Sequence, residues 1–126
     1  MKYSILHVDD DVVFCRVVKQ VLNRDGFNVC NVHNGSNAWD LLSTISFDCY
    51  LLDISMPGMD GISLGQLIRA RYPWTPIVFF TGENPEQIWQ EVYGRGGGTG
   101  LISKYASMMG LAPLLNKHII SHHSLK

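Results

Sequence analysis

The chain has 126 residues, enough for one domain with an ordinary core and without room for a second folded module. Lys and Arg number 10 against 11 Asp and Glu, and the formal charge of -1 gives no electrostatic footprint for direct binding of nucleic acid or of an anionic membrane surface. No apolar run approaches the ~20 residues of a membrane helix, and Met1 to Ile5 enters a strand pattern at once, so neither a span nor a secretory leader is indicated and a cytoplasmic location is expected.

Tyr3 to Val8 reads as a strand, and Val12 to Arg24 as a helix in which Phe14, Val17, Val18 and Val21 recur at helical spacing, with Gly26 as its stop. Phe27 to Val32 is the next strand. A helix follows with Ala38, Leu41, Leu42 and Ile45 on one face and Asn34 or Ser36 as its cap. Asp48 to Leu52 is nearly all apolar, which suits a central strand covered on both faces. Ile62 to Tyr72 forms a third helix, turning Leu64, Leu67 and Ile68 inward, and Pro73 and Pro76 bracket its exit. Pro76 to Phe80 is a strand, Glu86 to Tyr93 a short helix, Leu101 to Ser103 the last strand, and Leu114 to Ser121 the last helix with Pro113 near its first turn. Alternation of this kind predicts an α/β fold, a doubly wound five-stranded parallel sheet flanked by five helices. Residues 1–126 are expected to form one domain, with a core over about 3–121 and a short polar tail.

The polar residues fall where those strands end. Asp9, Asp10 and Asp11 follow the first strand and Asp53 the third, before Met56, Pro57, Gly58, Met59, Asp60 and Gly61; Thr81 follows the fourth and Lys104 the fifth. In an open α/β sheet ligands bind beyond the carboxyl ends of the strands, and two carboxylate-bearing ends side by side can hold a divalent cation next to a carboxylate nucleophile. Asp11 reads as a helix cap. The glycines from Gly94 to Gly100 fit no phosphate-cradle register and precede a strand, so they read as a flexible connection. His118, His122 and His123 suit a helix end better than a zinc site. Cys15, Cys30 and Cys49 read as reduced, buried thiols. Trp89 and Tyr93 lie one turn apart, as core or as a partner face.

In this order, Asp9 and Asp10, Asp53 with its Met-Pro-Gly-Met-Asp-Gly run, Thr81 and Lys104 resemble the receiver domain of two-component response regulators, of the CheY-like single-domain type, over roughly residues 3–121. The resemblance implies a flavodoxin-like sheet of order 2-1-3-4-5. It implies that Asp53 accepts a phosphoryl group from a histidine kinase or phosphotransfer protein, with Thr81 and Lys104 contacting that group. Mg²⁺ is implied as the cofactor, held by Asp10, Asp53 and the backbone carbonyl of Ser55, with Asp9 acting through water. Such a chain modifies itself and is no enzyme toward an external substrate; its output is a partner bound on a switched surface, for which the Trp89 and Tyr93 helix face is the candidate.

The sequence departs from the family at Leu101, where Tyr or Phe is frequent, and at Tyr105, where proline is usual. These departures motivate an alternative, a degenerate receiver that binds partners without phosphorylation. An aspartate-nucleophile phosphatase is a further alternative, but those enzymes carry a second acid two residues after the nucleophile, where this chain has Ser55.

Overall fold

The apolar runs become strands Ser4–Val8 (β1), Asn28–Val32 (β2), Cys49–Asp53 (β3), Ile77–Thr81 (β4) and Gly100–Ser103 (β5), all parallel, in the order β2-β1-β3-β4-β5. Helices Val12–Arg24 (α1), Gly35–Leu41 (α2), Gly61–Arg71 (α3), Pro85–Gln90 (α4) and Leu111–His123 (α5) connect and follow them. This is the flavodoxin-like arrangement expected. The computed structural model describes residues 2–82, 85–104 and 108–123, without the side chains of Pro85, His122 and His123. Tyr105 and the last residues of the polar tail lie outside the described residues.

Helix starts are set by side chains that satisfy otherwise unpaired first-turn amides. Asp11 accepts from the Phe14 N–H, Asn34 from Asn37 and Asp60 from Ser63. The cap of α2 is thus Asn34 rather than Ser36.

Central strands β3 and β4 are buried along their whole length, as helices on both faces require. One face of the sheet packs Leu6, Tyr50, Leu52 and Phe79 against α2, α3 and Val92; the other packs Ile5, Leu51, Val78 and Phe80 against Val18 and Leu22 of α1 and Leu115 and Ile119 of α5. Each such side chain contributes about 1.5–3 kcal/mol when fully buried.

Several expectations shift. Cys15, Val18 and Leu22 form the buried face of α1, while Val17 is 40% exposed, because the helix is apolar over more than one face and tertiary packing selects the stripe. α2 ends at Leu41, so Ile45 lies beyond it and is 48% exposed; Leu67 on α3 is 37% exposed, and Gly61 and Gly65 take the close approach instead. The helix expected through Tyr93 stops at Gln90 and passes into a π-helical turn, Glu91–Arg95. α5 begins earlier, at Leu111. Cys15 and Cys49 are buried free thiols, whereas Cys30 is half-buried.

Beyond Gly94, where a Cβ would meet open space, the glycine stretch is packed rather than slack. A Cβ at Gly65 would collide with the Gly96 carbonyl oxygen, one at Gly96 would lie 2.9 Å from Phe79 Cζ, and one at Gly98 2.8 Å from Val92 Cγ1. Gly97 has φ +66°, and its carbonyl accepts from Arg69 Nε at 3.0 Å and Nη2 at 2.7 Å. Glycine is required here by contact with α3 and β4, and Arg69 pins the loop.

Candidate functional site

Register aligns the strand ends. Val8 pairs with Leu52, Asp53 with Phe80 and Thr81 with Ser103, so the residues after β1, at the end of β3 and β4 and after β5 share one edge of the sheet, at the switch in strand order between β1 and β3. Asp10, Asp11, Asp53, Ser55, Thr81 and Lys104 line a cleft of about 360 Å³ there, and Asp9 lies buried beneath it. A larger groove of about 700 Å³ continues from Ile54 and Ser55 toward Ile88, Glu91 and Arg95.

Gly61 sets part of this geometry. Its N–H donates to the Ile54 carbonyl at 2.9 Å, and a Cβ there would collide with the carbonyl oxygen of Asp53. The Pro57-Gly58 turn, with Gly58 at φ +74°, returns the chain to that contact. A glycine eight residues after Asp53 therefore lets α3 start against the acidic strand end.

Lys104 joins the acids. Its Nζ lies 2.8 Å from Asp9 Oδ2 and 3.2 Å from Asp53 Oδ1, and 4.9 Å from the centroid of the Phe14 ring. Its backbone N–H donates to the Thr81 carbonyl at 2.8 Å, fixing the end of β5 to the end of β4. Thr81 is buried at 1% exposure on the wall of the cleft.

Electrostatics separates the two buried carboxyls. Burial, reinforced by the charge of Asp9, pushes Asp53 up to about 6, with Lys104 pulling the other way. Burial also acts to raise Asp9, but His7, Lys104 and the Asp11 N–H, 2.9 Å from Oδ1, outweigh it and hold that carboxyl below its ordinary range. Burial opposes the charge of Lys104, yet Asp9 and Asp53 prevail and raise its pKa.

One carboxylate oxygen from each of Asp9, Asp10 and Asp53 can be chosen so that all lie within 4.8 Å of one another, Asp10 exposed and the others buried. Three hard oxygen donors converging on an open cleft fit a small divalent cation that keeps several waters. The structure thus gathers every residue expected at the site, with Ser55 exposed on the cleft wall beside Asp53.

Sequence reading missed His7 and Asn31. His7 is fully buried, its Nε2 3.7 Å from Asp9 Oδ2 and its Nδ1 3.2 Å from Asn31 Oδ1. The available signal was period: His7 and Asp9 are two apart, on β1 and just past its end, and point the same way. Of the remaining candidates, His118 packs over Gly100, whose Cβ would lie 2.6 Å from the ring, and burial lowers its pKa. Trp89 and Tyr93 are 48% and 44% exposed, their rings 6.5 Å apart. Leu101 is half-buried against the core face that holds Phe79.

Fold and site define a class: doubly wound parallel α/β proteins with an acidic, cation-sized cleft and a lysine at the switch point of the sheet. Residues 5–115 match the family model of the response regulator receiver domain, and the chain belongs to that family. The transcriptional regulatory protein SrrA of Staphylococcus aureus is 30% identical over 106 residues, which are 84% of this chain and 44% of SrrA, so the chain spans less than half of that relative. The chemotaxis response regulator CheY4 of Vibrio cholerae is 28% identical with a TM-score of 0.86, over 94% of this chain and 99% of CheY4. TrrA of Thermotoga maritima, solved in complex with Mg²⁺-BeF, shares the fold at a TM-score of 0.83 and 24% identity, over 94% of this chain and 99% of TrrA. Receiver domains are signalling domains of two-component systems. Among the described residues no helix is long and apolar enough to cross a membrane.

Proposed function

We propose that this chain, as one receiver unit working in the cytoplasm, accepts a phosphoryl group on Asp53 from a phosphohistidine of a kinase or phosphotransfer protein. The observation that carries the reading is Lys104 Nζ between Asp9 Oδ2 and Asp53 Oδ1, at 2.8 and 3.2 Å, beside three carboxylates grouped within 4.8 Å. An ionised Asp53 oxygen attacks phosphorus, the P–N bond breaks, and the donor imidazole leaves with the bond's electron pair and is protonated by solvent. No general base is needed, because the nucleophile is already ionised over the neutral range.

Mg²⁺ bound by Asp10, Asp53 and the Ser55 carbonyl, with Asp9 acting through water, would neutralise charge on the transferring group. Lys104 then exchanges its contact with Asp53 for a phosphoryl oxygen, and the Thr81 hydroxyl donates to another. Water hydrolyses the acyl phosphate to inorganic phosphate and returns the carboxylate, so the phosphoryl group is a reversible mark on the chain itself. The modified surface engages an output partner, for which the exposed Trp89 and Tyr93 are candidates.

Intact mass after incubation with Mg²⁺ and acetyl phosphate tests this reading. Wild type should gain one phosphoryl group and Asp53→Asn none; modification of the variant at the wild-type rate would move the acceptor elsewhere. A second reading, partner binding without phosphorylation, draws on Leu101 in place of the family's aromatic ring and is favoured if wild type gains no mass.

A further inference from the structure

Lys104 Nζ has a third neighbour besides the two acids. It lies over the Phe14 ring, 4.9 Å from the centroid, within the distance at which an ammonium is drawn to the negative face of an aromatic ring. The lysine side chain is 21% exposed, so the contact is largely shielded from water, which strengthens it.

Both partners are fixed at their backbones. The Phe14 N–H donates to Asp11 Oδ1 at 3.0 Å in the first turn of α1, and the Lys104 N–H donates to the Thr81 carbonyl at 2.8 Å just past the end of β5. The ring is held too: Phe80 meets it at 71° with centroids 5.3 Å apart, and His7 at 69° and 6.1 Å. Packing alone does not account for Phe14. The stripe that α1 buries is Cys15, Val18 and Leu22, whereas Phe14 is half-buried at the margin of that core and turned to the ammonium.

We propose that Phe14 is a positioning residue for phosphoryl transfer, whose ring holds the Lys104 ammonium at the cleft while the lysine passes from Asp53 to a phosphoryl oxygen. This rests on the phosphoryl-acceptor reading proposed above. The contact of Lys104 with Asp53 cannot last through that reaction, because the carboxylate oxygen it pairs with belongs to the group being modified. An aromatic face carries no oxygen and does not compete with phosphate for a hydrogen bond, so its pull on the ammonium persists while the partner on the cleft side changes. A leucine would pack against the lysine stem and supply no such pull. Cation–π contacts are worth about 2- to 30-fold in an equilibrium, and this one, neither fully exposed nor fully buried, should be worth about 5-fold.

The test uses the full chain with Mg²⁺ and acetyl phosphate and reads the initial rate of mass gain. Phe14→Leu should be phosphorylated about 5-fold more slowly than wild type, and Phe14→Tyr, which keeps the ring face, at close to the wild-type rate. A ring-fluorinated phenylalanine at position 14 keeps the shape of the side chain and weakens its negative face, so it should slow the reaction as leucine does. In a Lys104→Met background Phe14→Leu should slow it no further, because the effect passes through the ammonium. A role confined to packing would lower the melting temperature of Phe14→Leu and leave the fluorinated chain at the wild-type rate. That outcome, or equal slowing by Phe14→Leu with and without the lysine, would overturn the assignment of Phe14 alone. Absence of phosphorylation in wild type would overturn the acceptor reading and the assignment with it.

Discussion

A carboxyl raised from 3.8 to about 6 keeps a proton that the unfolded chain has already released, so the contribution of Asp53 to stability is fully present below about pH 4 and declines as pH rises through about 6. Asp9 runs the other way: its lowered pKa stabilises the fold above the ordinary carboxylate range, and that contribution is lost only in stronger acid. A cation at the cleft needs Asp53 ionised, so protons compete with it. Mg²⁺ should therefore raise the melting temperature more at about pH 8 than at about pH 5; an equal rise at both would mean that Asp53 is not among its ligands. The neighbouring acids differ in duty. Asp11 caps α1 at 3.0 Å from the Phe14 amide, so Asp11→Ala should cost about 1 kcal/mol of stability and leave Mg²⁺ affinity nearly unchanged. Asp10→Ala, losing an exposed ligand, should show the reverse pattern. Denaturant midpoints and Mg²⁺ titrations separate the two, and equal losses of affinity would shift the register of the acidic cluster. Asp9, Asp10, Asp53, Thr81 and Lys104 were legible from the sequence because strand ends can be found from apolar runs. His7 was not, since one polar ring inside such a run carries no mark of what it faces across the fold.

At the scale of elements, legibility followed the strength of local signals. α1 begins and ends where its aspartate cap and Gly26 place it, whereas its buried face was misread because valines surround the helix and only the opposing sheet decides among them. The glycines before β5 were misread for a related reason: composition reports freedom of the backbone, while the contacts that make glycine necessary come from α3 and β4, far away in sequence. Gly65 against the Gly96 carbonyl is the tightest of these contacts outside the acidic strand end. Gly65→Ala should cost about 1–3 kcal/mol by overpacking, measured as a lower denaturant midpoint with unchanged slope. A wild-type midpoint would show that the segment yields easily, as its composition alone suggested.

Across the whole molecule, Lys104 and Thr81 belong to strand ends tied by a 2.8 Å backbone hydrogen bond, so a phosphoryl group drawing one draws the other and pulls on the α4 side of the sheet. With leucine at 101 no aromatic ring stands there, so backbone movement around Thr81 and Gly82, or another side chain, is expected to carry the change. Thr81→Ala should leave phosphorylation of Asp53 largely intact and weaken the response beyond it. Amide shifts induced by Mg²⁺ and beryllofluoride across 86–95 should shrink in the variant; undiminished shifts would assign the relay to another group. The lysine bridge has one more consequence, which concerns the order of assembly. Because a residue of the chain already supplies positive charge between Asp9 and Asp53, the two acids can be brought together during folding before any metal arrives. Folding of the acidic strand ends is therefore expected not to wait for an ion at the cleft.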